Sequence, residues 1–358
     1  MVAYNFPLAL VGEELEIIND VHIEVEEGII THIGKGKDPK GINMPNLIAI
    51  PSLVNSHTHA SDFCFPDYGV ELPISLSVSP KGGLKYNLLK HVSIYECILK
   101  FMHYSTRFGV QIVIDFYEGD LNDVEKIENE NYIPLISIHS PLIGTNEISN
   151  VKGVAISSIN SMTIEDMEKI KRELRGKIKA IHVSENFKHA VKGDFNLILK
   201  ALDPTFIVHG VFLGYEEMSI IKERGIGLVF CPSSNLWFGL GIPPIYEAIE
   251  FGINFSLGTD NGMINTPNLW REGVITYELL RLRSLRRFGR EILKAMTING
   301  YKLINIRGGI SEGNEAKIVI IDGEESGILR ALDIHTAIVK RGGESVYGLL
   351  NNKFGVKQ

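Results

Sequence analysis

The segment Asn55-Ser56-His57-Thr58-His59 closes the apolar run 47–54. Two histidines one residue apart on an extended chain point to the same side. Held side by side, their rings repel when protonated and compete for hydrogen-bond partners when neutral. A divalent metal ion resolves that conflict, because it takes neutral ring nitrogens close together. Two surface histidines just past a strand are the plain alternative, so the rest of the chain must supply or withhold further ligands. Candidates stand at the ends of three other apolar runs: His182 and Glu185 in "IHVSEN", His209 in "FIVHGVFL" and Asp260 in "SLGTDN". Singly each has a dull reading: His209 as a bonded core histidine, Asp260 as a turn or helix cap, Glu185 as a cap or solvent-facing acid. Together, on run after run, they point to one site.

His57, His59, His182 and Asp260 offer three neutral nitrogens and a carboxylate. That set suits one divalent ion, Zn2+ first and Fe2+ second, with a position left for water. Water held this way becomes a nucleophile near neutral pH. Asp260 can accept its proton. Glu185, three residues past His182, suits a proton shuttle to a leaving group or ring nitrogen. His209 can polarise a substrate, orient the nucleophile or, in some metal states, bind the metal. A two-metal site of this type needs a bridging lysine at the end of the fourth strand, whereas Lys152 begins the fourth run. H-E-x-x-H is absent, and Cys231-Pro232 is not followed by a second cysteine.

What could position such residues is a repeated strand-then-helix pattern. Apolar runs fall at 47–54, 110–116, 133–138, 151–156, 178–183, 206–212, 226–231 and 253–257, with helical stretches such as 83–109, 163–176 and 267–285 between. Eight such units predict an α/β (β/α)8 TIM barrel, whose chemistry sits at the C-terminal strand ends. An open doubly wound sheet would need a phosphate-binding glycine loop, and Gly34-Lys35-Gly36-Lys37 breaks that spacing and reads as a turn. Residues 1–48 and 308–358 alternate as short strands, which predicts one small β-sandwich built from both chain ends around a barrel at 49–307.

The composition is that of a globular protein, 44% hydrophobic and 22% charged. A formal net charge of −7 argues against a general nucleic-acid or anionic-membrane surface. Cys64, Cys97 and Cys231 form no C-x-x-C pair, which argues against a disulfide framework and for a reducing cytoplasm. The N-terminus lacks a basic leader, and no run reaches the length of a membrane span. A homo-oligomer is compatible with the sequence.

The chain resembles the amidohydrolase superfamily, in its mononuclear cytosine deaminase/chlorohydrolase-like branch. "IPSLVNSHTHASD" is similar to the family's first barrel strand, "IHVSE" to its fifth, "IVHG" to its sixth, "CPSSNLWFG" to its seventh and "LGTDN" to its eighth. The ends resemble its sandwich strands. The resemblance implies metal ligands His57, His59, His182 and Asp260, proton chemistry by Glu185, His209 and Asp260, and Ser234 and Asn235 beside a small-molecule substrate. His139, in "ISIHSPLI", is a further candidate substrate contact or a strand-end histidine bonded to backbone. Adenosine-type members carry a Trp and a ribose-gripping acid after H-x-H. Here that region is "DFCFPDYGVELPISLSVSPKGGLKYNLL", without Trp, which argues against a nucleoside. The expected activity is hydrolysis of a non-peptide C–N bond, foremost the deamination of a cyclic amidine. A cyclic amidohydrolase or chlorohydrolase is the alternative, and a metal-containing binding protein is the alternative of another class.

Overall fold

The run 47–54 reads in the sequence as one strand and is two. The first strands are β1 (Val2–Val11), β2 (Glu16–Glu26), β3 (Ile29–Lys35), β4 (Ile42–Asn43) and β5 (Leu47–Pro51), and β6 (Leu53–His59) starts two residues later. At the break the Ser52 N–H donates to the Lys317 carbonyl (3.0 Å) and the Leu53 N–H to that of Gly109 (3.0 Å). Both strands are wholly buried, so hydropathy carries no mark of the change of sheet. The structure is a computed structural model and describes residues 1–79, 82–119, 124–127, 131–137, 152–159, 162–351 and 354–357.

After β6 come β7 (Val110–Tyr117), β8 (Tyr132–Ser137), β9 (Gly153–Ile156), β10 (Ile178–Val183), β11 (Phe206–His209), β12 (Gly227–Phe230), β13 (Phe255–Leu257) and β14 (Asp260–Asn261). They follow one another in sequence order around one sheet. β13 runs parallel to β12, and β14 pairs parallel with β6, Asp260 opposite Thr58 and Asn261 opposite His59. The eighth stave is thus two short pieces, and the second closes the ring. At Gly258, between them, a Cβ would lie 2.6 Å from the His57 carbonyl oxygen and 2.8 Å from its Cβ. Only glycine lets the closing segment approach that histidine so closely. This is the expected (β/α)8 barrel.

The helix Ile164–Glu173 begins where Thr163 and Asp166 form a capping box. The stretch 83–109 is not one helix, as its periodicity suggests. It divides into Leu84–Leu88, a 3-10 turn Leu89–His91 and Ile94–Thr106. Ser93 breaks it, its hydroxyl accepting from the Glu96 N–H as a cap does.

The chain ends with β15 (Ile318–Asp322), β16 (Val346–Asn351) and β17 (Phe354–Lys357). β15 pairs antiparallel with β5, so both ends share one eight-stranded sheet in the order β17-β16-β15-β5-β1-β2-β3, with β4 on β1. The hairpin β2–β3 turns through Glu27 and Gly28, both at positive φ (50° and 80°), the conformation a right-twisted two-residue hairpin requires. By contact the chain falls into two compact units: Met1–Val54, Ser105–Gln111 and Asn268–Gln358 in one, Asn55–Tyr104 and Ile112–Pro267 in the other.

The cysteine reading needs correction. Cys64 and Cys97, 33 residues apart, are disulfide-bonded with their Cα atoms 5.4 Å apart, and Cys231 is free and buried. Sequence spacing detects local motifs and is blind to cysteines that a fold brings together. The argument from cysteines to a reducing compartment therefore falls away. Among the described residues no helix is long and apolar enough to cross a membrane.

Candidate metal and catalytic site

All the residues of the site belong to the second unit. His57 and His59 end β6, His182 lies on β10, His209 ends β11 and Asp260 opens β14. The 182–209 pair is set by register, Val183 standing opposite His209. Three backbones here are left-handed at non-glycine residues: Ser184 (φ 47°), His209 (70°) and Asp260 (56°). Such conformations cost energy and persist where surrounding structure enforces them. They turn the chain abruptly at the strand ends and aim the side chains to one side.

The contacts are close. His57 Nε2 is 3.1 Å from Asp260 Oδ1, and His59 Nε2 is 3.7 Å from the same oxygen. His209 Nε2 lies 3.5 Å from Glu185 Oε1. Ligand atoms of His57, His59 and His182 lie within 4.8 Å of one another, as do those of His57, His209 and Asp260, and those of His182, Glu185 and His209. His57 Nδ1 and His182 Nε2 are buried without a hydrogen-bond partner, while His209 Nε2 faces Glu185. Buried ring nitrogens left so are costly, and a metal ion satisfies them. The donor set therefore fits a divalent ion.

Electrostatics agree for His57, His182 and Asp260, whereas at His59 burial and Lys85 push the ring down but Glu118 and Asp260 outweigh them and raise it. Burial pushes His57 down to about 3, against the pull of Asp260. Burial, aided by His209 and His57, holds His182 well below the usual imidazole range. Burial works against ionising Asp260, but its hydrogen bond with His57 and the other histidines outweigh it and hold the carboxyl well below the ordinary range. Neutral imidazoles and an ionised carboxylate are the forms that bind metal. Burial raises Glu185, which favours a carboxyl able to hold a proton.

Ser234 and Asn235 are buried in the helix Pro232–Trp237, after β12. The Ser234 hydroxyl donates to Asp260 Oδ2, and Asn235 Nδ2 contacts His209 Nδ1 at 3.2 Å. With Nδ1 accepting that N–H, the assigned tautomer of His209 carries hydrogen on Nε2, towards Glu185. His139 lies outside the described residues.

A cavity of about 420 Å³ opens over the cluster, with His59, His182, Glu185 and Asp260 in its walls. Further out it is lined by Lys188, His189 and Lys192.

Sequence reasoning missed several residues. Phe116 stacks on the His182 ring, centroids 4.8 Å apart. Asp115, buried on β7, accepts from the Ala60 N–H (2.8 Å) and from the Tyr132 hydroxyl. Asp62, Lys85 and Glu118 gather beside His59. The signal for Asp115 was present, an acid inside the apolar run 110–116. Asp62 lies in no periodic stretch, and Lys85 lies in the helical stretch 83–109, where a lysine reads as an ordinary solvent-facing residue.

A ring of parallel strands with a metal-suited cluster at its C-terminal ends defines a class of metal-dependent hydrolase barrels. The amidohydrolase family model matches residues 135–352, more than half of the chain, and the chain belongs to that family. It is 31% identical to a putative aminohydrolase of Methanothermobacter thermautotrophicus over 84% of this chain and 86% of the relative. It is 28% identical to the 5-methylthioadenosine/S-adenosylhomocysteine deaminase of Clostridium tetani over 97% and 91% of the two chains. In fold it is similar to a guanine deaminase from C. acetobutylicum crystallised with guanine, at 15% identity, a TM-score of 0.82 and coverage of 99% and 100%. The protein is a metal-dependent hydrolase of the deaminase type.

Proposed function

We propose that this chain removes an exocyclic amine from a nitrogen heterocycle, releasing ammonia. The observation that carries the reading is the convergence of His57, His59, His182 and Asp260 beside the Glu185–His209 pair in one cavity. A purely structural metal needs neither Glu185 nor His209. In this reading His57, His59, His182 and Asp260 hold a single divalent ion, Zn2+ before Fe2+. When bound, the ion supplies a water that loses its proton readily.

The remaining steps belong to the protein. Asp260, its carboxylate kept in place by Ser234, is the group that would accept a proton from that water. Glu185 receives that proton and delivers it to the ring nitrogen beside the attacked carbon. The second proton, from the hydroxyl of the adduct, then passes through Glu185 to the amine, which leaves as ammonia as that hydroxyl becomes the carbonyl. Glu185 is suited to this because burial favours its protonated form. His209, fixed by Asn235, holds an N–H towards the reacting centre. Ser234 and Asn235 thus reach the substrate through Asp260 and His209.

The outer wall refines the substrate. Its lysines Lys188 and Lys192 favour a heterocycle carrying an acidic substituent over a neutral one. Cytoplasmic location and domain limits at 1–48, 49–307 and 308–358 belong to the same proposal, and thiol trapping of the protein straight from cells tests the first. The central test is metal-dependent ammonia release from a panel of aminopurines, aminopyrimidines and aminotriazines, each with and without a carboxylate or phosphate arm. Halide release or ring opening without ammonia would favour the chlorohydrolase or cyclic amidohydrolase reading. Metal binding with no turnover would favour a binding protein.

A further inference from the structure

Beside His59, on the side of Nδ1, lies a buried cluster that the reaction above does not use. Lys85 Nζ is 2.9 Å from Asp62 Oδ2, 2.5 Å from Glu118 Oε2 and 3.1 Å from His59 Nδ1. Lys85 is 2% exposed, and the side chains of Asp62 and Glu118 are 1% exposed. The three come from separate segments: Asp62 from the 3-10 turn Ala60–Cys64, Lys85 from the helix Leu84–Leu88, and Glu118 from the residue after β7. The Tyr86 hydroxyl holds the other oxygen of Glu118 at 2.7 Å. Burying two acids and a lysine is expensive, and a protein keeps such a group where the arrangement does something.

The ligand atoms of His59, Asp62 and Glu118 lie within 4.8 Å of one another, which is the geometry of a cation site. Lys85 places its ammonium in that cradle. For His59 to offer Nε2 to a metal, its ring hydrogen must sit on Nδ1, and Nδ1–H then needs an acceptor. Glu118 Oε2 is the carboxylate on that side, 3.6 Å away and just beyond hydrogen-bond distance, so a metal-bound His59 would have to close on it. Lys85 carries only donors and cannot serve. What it can do is hold Glu118 and Asp62 together as their counter-charge.

We propose that Lys85 is a built-in cation that fills a cation-suited cradle beside His59, and that through Glu118 it fixes the ring of His59 for the metal ion. Lys85 and Glu118 are positioning residues, and the inference rests on the assignment of His59 as a metal ligand.

The test measures Zn2+ affinity by chelator competition on the full chain, for the parent, Lys85→Ala, Lys85→Arg and Glu118→Gln. Loss of such a supporting partner typically costs 10–100-fold in metal affinity. Lys85→Ala and Glu118→Gln should therefore bind Zn2+ about 10–100-fold more weakly. Because Lys85 lines the cavity, n-propylammonium can enter the space the alanine leaves and should restore much of the loss. Propanol, of the same size without charge, should not. Lys85→Arg should retain more affinity than the alanine variant. Parental affinity in both Lys85→Ala and Glu118→Gln, or a loss that propanol restores as well as the amine, overturns the proposal. If Lys85→Ala does not fold, Glu118→Gln, which keeps size, decides alone. A parent that binds no metal at all would instead sink the metal-site assignment itself.

Discussion

The buried middle of the eight-stranded sheet is built from Tyr4, Phe6, Val21, Ile23, Ala49, Ile318, Ile320 and similar side chains. The buried strand ends of the ring carry His57, Asp115, His182, His209 and Asp260. Both regions are largely buried, yet one is filled with groups that gain from dryness and the other with groups that lose by it. An unpaired buried charge costs several kcal/mol, so a set of them survives only if each has a partner or a task. The sheet is built for stability, and the ring gives up some stability to keep reactive groups apart from solvent.

The strongest way to break this contrast is to remove a ligand. His57→Ala or Asp260→Ala should lose most of the bound metal and reduce ammonia release to background, as metal analysis and a coupled assay would show. About two metal ions per parental chain would overturn the single-ion reading. Next comes Glu185→Gln, which keeps size but cannot carry a proton. Its kcat should fall by at least about 10²-fold with the metal retained. Near-parental kcat on an amine substrate would move the shuttle to Asp260 or His209. In the sheet, Ile320→Ala should cost about 2–5 kcal/mol in denaturant unfolding while leaving metal content and kcat of the folded enzyme alone. A matching loss of metal there would erase the distinction between the regions.

The smallest effect concerns pH. Burial pushes Asp115 from its ordinary 3.8 up to about 6, against the N–H of Ala60 and the Tyr132 hydroxyl. Its folded value lies above its unfolded one, so its stabilising contribution is complete below about pH 4 and is lost as pH rises through about 6. The size is at most about 3 kcal/mol. Asp115→Asn should flatten that part of the stability curve of the metal-free protein. An unchanged slope between about pH 4 and 6 would assign the effect to another group.

How legible was this in the sequence? His57, His59, His182, His209 and Asp260 were visible because each interrupts or ends an apolar run, and a parallel barrel puts all such ends on one face. The cradle of Asp62, Lys85 and Glu118 was hidden. Its members come from a 3-10 turn, a short helix and a strand end, and their meeting depends on how the connection after β6 folds back. The Cys64–Cys97 bond was hidden for the same reason. The division of 47–54 into β5 and β6 left no trace because a strand buried on both faces looks the same in either sheet. The single long helix expected at 83–109 failed at Ser93, where a local cap prevailed over the periodicity.

The seam of the ring has a consequence for how the protein is made. His57 and Asp260 are 203 residues apart, and β14 closes the ring on β6 next to them. Contacts between residues so distant form late, after the loop-closure cost of the intervening chain has been met. During synthesis no metal site of this composition exists until Asp260 has emerged and the ring has closed. A chain released early keeps His57 and His59 but has no closed pocket to bring them to. If His57, His59, His182 and Asp260 hold the ion as proposed, metal loading reports on completed folding.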